Sequence, residues 1–96
     1  MAAATRLGDN STGHDACPPT ALITASSNVF INGKGAGRKG DMYASHSCAA
    51  HPAHDDTING GSSTVFINGR PAARVGDAVD PGGSVADGSS NVFIGG

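Results

Sequence analysis

The sequence contains few of the residues that build a large apolar core. Its 96 residues include no tryptophan, one tyrosine and three phenylalanines. A chain of this length buries a limited core and often depends on a metal, a disulfide or a partner for stability. Fifteen glycines and five prolines indicate many turns and short strands rather than helices. We therefore expect an all-β fold that needs a stabilising element beyond its hydrophobic core.

The chain also lacks the features of several functional classes. The formal net charge is −2 and the six basic residues are scattered, which argues against a nucleic-acid partner. No apolar run approaches the roughly 18 residues of a membrane-spanning helix, and the N-terminus shows no signal-peptide pattern. We expect synthesis in the cytoplasm and, for any export, a route that does not use a signal peptide. No Gly-X-Ser-X-Gly, His-Glu-X-X-His or P-loop motif occurs, so we do not expect an enzyme.

Repetition is the strongest signal in the sequence. One eight-residue segment containing Val-Phe-Ile occurs three times, at residues 26–33, 62–69 and 89–96. The triplet favours a strand, and the Asn-Gly pair that follows in the first two copies suits a two-residue hairpin turn. A second motif, Arg-X-Gly-Asp, also occurs three times, starting at Arg6, Arg38 and Arg74. We interpret each unit as a β-hairpin that ends at Gly-Asp.

The third hairpin lacks its second strand, because the sequence ends at Gly96. The matching Arg-X-Gly-Asp motif stands at the other end of the chain, so we expect the N-terminal segment to close the third unit. Residues 1–96 would then form a single domain, a pseudo-threefold cone of three hairpins without an exposed sheet edge. Each repeat has one phenylalanine at the same position, namely Phe30, Phe66 and Phe93. We expect these three side chains in the core; the alternative is that they form a docking patch at the base of the cone.

The connections between the repeats carry all four histidines and both cysteines. These loops cover residues 10–25, 42–61 and 78–88, and a threefold arrangement brings them together at one apex. Imidazole and thiolate ligands suit a tetrahedral structural Zn²⁺ site, which stabilises a fold that has a weak core. The predicted ligands are His14, His46, Cys48 and His54, with His51 in reserve.

The two cysteines receive different roles in this interpretation. A disulfide between Cys17 and Cys48 is not expected in a protein made in the cytoplasm, and Cys17 is expected to be a small buried residue. Asp80 in the third loop is a weak ligand candidate. A site with four protein ligands has no open position for water or substrate, whereas a hydrolytic zinc site would need one together with a base such as Asp55 or Asp56.

Two parts of the sequence resemble PAAR-repeat proteins: residues 13–19, with Gly-His and Pro-Pro, and residues 66–77. The family is named for Pro-Ala-Ala-Arg, which stands here at residues 71–74. The first repeat has Gly-Ala-Gly-Arg at residues 35–38, a departure that we expect to loosen this strand without changing the hairpin. The resemblance covers residues 6–96.

The resemblance implies a sharp cone of β-hairpins with Zn²⁺ bound near the apex by three histidines and one cysteine. It implies a cap, one per trimer, on a trimeric β-helical spike, either a valine-glycine-repeat protein of a type VI secretion system or the central spike of a contractile phage tail. Such a cap sharpens the spike for membrane puncture, contacts the target membrane transiently, carries secreted effectors and leaves the cell on the spike. We expect no effector extension. The alternatives are a free-standing zinc-binding module and a small zinc hydrolase.

Overall fold

The computed structural model describes residues 1–15, 17–48 and 51–96, with the side chain of His51 outside the description. All regular structure in these residues is β, which confirms the predicted fold class. The molecule is elongated, with principal extents of 37 × 24 × 22 Å. Its strands are β1 Ala2–Ala3, β2 Phe30–Ile31, β3 Lys34–Gly35, β4 Met42–Cys48, β5 His51–Ile58, β6 Phe66–Ile67, β7 Arg70–Pro71, β8 Val79–Asp80 and β9 Phe93–Ile94.

Two of the three repeated hairpins turn on an Asn-Gly pair. Asn32 and Gly33 have φ angles of 54° and 79°, and Asn68 and Gly69 have φ angles of 54° and 77°. Both central residues of a type I′ turn need positive φ, and Asn and Gly adopt it at the lowest cost. The strands β2–β3 and β6–β7 pair antiparallel across these turns.

The third hairpin is built from the two ends of the chain. Strand β1 pairs antiparallel with β9, with Ala3 opposite Phe93. In the other two hairpins Phe30 lies opposite Gly35 and Phe66 lies opposite Pro71. The N-terminal segment therefore occupies the position of the second strand in the third repeat.

The first hydrophobic core lies between the three hairpins and has threefold composition. Each repeat contributes one isoleucine and one alanine, namely Ile31, Ile67, Ile94, Ala4, Ala36 and Ala72. The neighbouring phenylalanines point to the opposite face and are 50–60% exposed, so the prediction that they lie in the core is wrong. Alternation along each strand allows only one residue of the Phe-Ile pair to face inward.

Each Arg-X-Gly-Asp motif forms a tight turn closed by an ion pair. Asp41 accepts hydrogen bonds from the backbone N–H of Arg38 at 2.8 Å and from its Nε and Nη2 at 2.9 Å each. Gly40 supports the turn with a φ of 93°. Equivalent bonds join Arg6 to Asp9 and Arg74 to Asp77. These side chains are therefore structural in all three repeats.

The remaining guanidinium nitrogen of each arginine links its repeat to the turn of the next. Arg38 Nη1 donates to Asn68 Oδ1 at 2.9 Å, and Arg74 Nη1 donates to the Gly95 carbonyl at 3.2 Å. Arg6 Nη1 donates to Asn32 Oδ1 at 2.9 Å, which closes the cycle. The repeats are thus joined in a ring as well as along the chain.

The departure at residues 35–38 has a steric explanation. A Cβ on Gly35 would lie 2.6 Å from the carbonyl oxygen of Ser26 and 3.1 Å from the Cβ of Ala25. In the second repeat the glycine is on the other side of the contact: Gly61 faces Pro71, and a Cβ on Gly61 would lie 2.7 Å from the Cβ of Pro71. Each of these two hairpins therefore has room for one side chain at this contact. The first repeat has it on Ala25, before the hairpin, and the second has it on Pro71, within the hairpin.

The second hydrophobic core brings the three connections together. Its buried members are Leu22, Tyr43, Ile58, Ala73, Val79 and Val85. Residues 42–61 are not the loop that we predicted but largely the hairpin β4–β5, with Ile58 opposite Val79 on β8. Tyr43 and Ile58 anchor the base of this hairpin in the core, and its histidines follow further along the same two strands.

Candidate metal centre

A tight turn in the first connection places His14 beside Cys17. The backbone N–H of Cys17 donates to the His14 carbonyl at 2.8 Å, and the N–H of His14 donates to the Cys17 carbonyl at 3.2 Å. Gly13 and Asp15 have φ angles of 72° and 50°, which bend the chain sharply here. Gly82 of the third connection packs against His14, since a Cβ on this glycine would lie 3.0 Å from the Cβ of His14. Two connections therefore fix the position of this imidazole.

The hairpin β4–β5 supplies two further imidazoles. His46 lies directly opposite His54 in the register of the two strands. Nδ1 of His46 lies 2.7 Å from the carbonyl oxygen of Pro18. A carbonyl only accepts, so Nδ1 carries a proton and donates it, and Nε2 is the ring nitrogen that faces the cluster. This arrangement is typical of histidines that bind metals through the other ring nitrogen.

The three imidazoles form one compact cluster. Their ring centroids are 4.9 Å apart for His14 and His46, 4.6 Å for His46 and His54, and 5.2 Å for His14 and His54. One donor atom from each of these histidines and the sulfur of Cys17 lie within 4.8 Å of one another. This group could hold a metal ion, because imidazole and sulfur donors suit Zn²⁺ and related cations.

A buried carboxylate lies against the same cluster. Asp56 is fully buried, and its Oδ2 is 3.2 Å from His46 Nε2 and 3.5 Å from His14 Nδ1. Its Oδ1 is 2.9 Å from His54 Nδ1. The sequence suggests Asp55 or Asp56 only as the base of a hydrolytic site, and not as part of a structural metal centre. On a strand, the spacing from His54 to Asp56 places both side chains on one face.

The cysteines differ from the expectation. Cys17 and Cys48 form a disulfide with a Cα–Cα distance of 5.0 Å, so the prediction that they stay unpaired is wrong for this structure. The register of β4 against β5 is shifted between His46 and Cys48, and this irregularity breaks the two-residue alternation that was expected to hold both side chains on one face. In the disulfide neither sulfur is a thiolate, the form that binds metals.

Three of the four predicted ligands lie together in the structure. The structure brings together His14, His46 and His54, and it places Cys17, not Cys48, in the group with them. Cys48 as a ligand stays a prediction for the reduced chain. The side chain of His51, the reserve ligand, lies outside the described residues, and Asp80 is exposed on β8.

Comparison with known protein families identifies the fold. The chain matches the PAAR motif family over residues 12–87 of its 96 residues, a span that includes every member of the cluster. The chain belongs to the PAAR motif family. No curated protein matches the sequence significantly, and no helix suited to crossing a membrane is found in the described part of the chain.

Membership in the PAAR family agrees with the chemistry of the cluster. PAAR proteins are structural modules of spike tips rather than enzymes, and the resemblance implies a metal near the apex. The residues fit such an ion, because the buried Nε2 of His46 has no hydrogen-bond partner in the described part of the chain and faces the other two imidazoles. A bound ion would join the first connection to the hairpin β4–β5 and would supply structural stabilisation.

Proposed function

We propose that this PAAR protein is a metal-stabilised cap that docks on the end of a trimeric β-helical spike. The observation that carries the proposal is the threefold set of exposed phenylalanines on the three hairpins. Family membership supports a spike of a type VI secretion system or of a contractile phage tail.

The three exposed phenylalanines occupy equivalent positions in the three hairpins. We call Phe30, Phe66 and Phe93 the phenylalanine triad; they are 60%, 57% and 50% exposed. The residues opposite them across each hairpin are Gly35, Pro71 and Ala3, which are too small to cover the rings. Val29 and Val65 add further exposed apolar area. Exposed apolar patches of several hundred Å² are typical of docking surfaces, and a threefold patch can present one ring to each subunit of a trimer.

In this proposal the histidine cluster stabilises the tip of the cap. The tip is formed by the connections between the repeats, which carry His14, His46 and His54. The cation would be Zn²⁺, held by imidazoles on two different connections. The cap would sharpen the spike, contact the target membrane only during puncture and travel out of the cytoplasm on the spike. Secreted effectors would attach to the same cap. Each of these roles needs a rigid tip rather than an open catalytic site.

The test of docking is a binding titration with purified trimeric spike β-helices of both kinds, read by isothermal calorimetry. A phenylalanine buries roughly 200 Å², so covering half of one ring contributes at most about 2.5 kcal/mol. Each Phe→Ser substitution in the triad should therefore raise the Kd by up to roughly 70-fold, and the triple variant should abolish binding at micromolar concentration.

Ile23→Ser is the matched control, because Ile23 is 54% exposed but lies outside the hairpins. It should change the Kd by no more than about threefold. Thermal melting of each variant establishes that it is folded. Wild-type affinity in the triple variant would refute docking through the triad.

A further inference from the structure

Asp56 is a buried carboxylate in unusual surroundings. Its side chain is 1% exposed, and its ion-pair partners in the described part of the chain are all histidines. Neither carboxylate oxygen has a hydrogen-bond partner among the described residues. An ionised carboxylate buried in this way is costly unless a positive charge compensates it. A metal ion at the point where the three imidazoles meet would supply this compensating charge.

His46 places a ring nitrogen against the carboxylate. Its Nδ1 donates to the Pro18 carbonyl at 2.7 Å, and its Nε2 lies 3.2 Å from Asp56 Oδ2. This Nε2 has no hydrogen-bond partner among the described residues. A metal ion bound to both atoms would make two favourable contacts in place of one unsatisfied pair.

Two of the three contacts of Asp56 agree with donors that share one ion. Donors bound at roughly 2.0–2.1 Å in a tetrahedral site are about 3.4 Å apart. Asp56 Oδ2 lies 3.2 Å from His46 Nε2 and 3.5 Å from His14 Nδ1, whereas its Oδ1 lies closer to His54 Nδ1, at 2.9 Å. Because Cys17 and Cys48 are joined to each other, neither supplies a thiolate, and Asp56 is the donor among the described residues that contacts all three imidazoles.

We infer that Asp56 is the fourth metal ligand of the disulfide-bonded chain, so that the cation is bound by His14, His46, His54 and Asp56. The inference rests on the metal site of the proposed function and concerns its ligand set. The carboxylate is then the anionic donor of the site, the role that a thiolate has in a site of three histidines and one cysteine. The disulfide-bonded chain thus keeps its metal under conditions that remove both thiolates.

The test is a Co²⁺ titration of metal-free protein whose disulfide has been verified by thiol assay. The expected spectrum shows tetrahedral d–d bands without a thiolate-to-cobalt charge-transfer band. Asp56→Asn should weaken Co²⁺ binding by at least roughly 10- to 100-fold. The matched control is Asp55→Asn, because Asp55 is adjacent but exposed, and it should bind as the wild type does. Equal affinity in Asp56→Asn would overturn the inference.

A second variant keeps the test decisive if Asp56→Asn does not fold. The double variant Cys17→Ser/Cys48→Ser has no sulfur donor but retains Asp56. Retained Co²⁺ binding with the same d–d bands supports the carboxylate ligand, and loss of binding overturns it. Binding that appears only after reduction, with a charge-transfer band, refutes this inference while leaving the proposed metal site intact. Docking on the spike is measured separately and does not enter this experiment.

Discussion

Asp41 offers the sharpest test of how the three repeats are held together. Its side chain is 2% exposed and accepts three hydrogen bonds from Arg38 at 2.8–2.9 Å. Thr24 Oγ1 and Arg70 Nη2 donate to it as well, each at 3.0 Å. Asp41→Asn keeps the shape of the side chain but removes the charge and replaces one acceptor oxygen by an NH₂ group. That group would face donors, so several hydrogen bonds are lost together.

The expected loss of stability is large for one substitution. Removing one partner of a buried ion pair costs about 3–5 kcal/mol, and the partial exposure of Arg38 favours the lower end. A loss of about 3 kcal/mol lowers the melting temperature by roughly 12–24 °C in a chain of this size. Asp55→Asn, at an exposed position, should stay within about 0.5 kcal/mol of the wild type. Both changes are measured by calorimetry and by urea unfolding.

The same variant has a pH signature. Burial alone would raise the pKa of Asp41, but the hydrogen bonds from Arg38 and Thr24 outweigh it and hold the pKa below its ordinary value. The unfolded chain then binds more protons than the folded chain, so the contribution of Asp41 is complete above a pH of about 4 and declines below it. The difference in unfolding free energy between wild type and Asp41→Asn should shrink in that acidic range. A loss below about 1 kcal/mol at neutral pH would refute the structural role of the motif.

Three further predictions concern single side chains. Ile67→Ala should lower the free energy of unfolding by about 2–4 kcal/mol, because it opens a cavity in the first core. Phe66→Ala, at the neighbouring exposed position, should lower it by less than about 1 kcal/mol. Equal losses of stability in urea unfolding would contradict the assignment of the two strand faces. Tyr43→Phe should raise stability by about 1 kcal/mol, since the buried hydroxyl has no hydrogen-bond partner among the described residues; a lower melting temperature would count against it. Gly82→Ala should weaken metal binding by about 10-fold, because the added methyl displaces His14; an unchanged Co²⁺ affinity would show that this contact does not position the ring.

The hairpins were predictable because their determinants are local. Val-Phe-Ile followed by Asn-Gly specifies a strand and a turn within eight residues, and the repetition of this pattern revealed the threefold arrangement. The face of each strand that is buried was not predictable in the same way. Either Phe or Ile could have filled the centre, and in the structure the isoleucines of the three repeats pack there together with three alanines.

The candidate site was partly predictable for a similar reason. All four histidines lie in two connections, so the convergence of His14, His46 and His54 followed from the threefold arrangement. The roles of Asp56 and the cysteines depend on the register of β4 against β5, where irregularities on both sides of His46 change which side chains share a face. Such irregularities have no clear signal in a single sequence, and the disulfide between Cys17 and Cys48 depends on them.

The most direct test of spike docking is native mass spectrometry of the protein mixed with a trimeric spike β-helix. The expected species is a complex of three spike chains with one copy of this chain and one divalent metal ion, because a pseudo-threefold surface fits a trimer only once. Three copies per trimer, or no complex at micromolar concentration with either kind of spike, would contradict it.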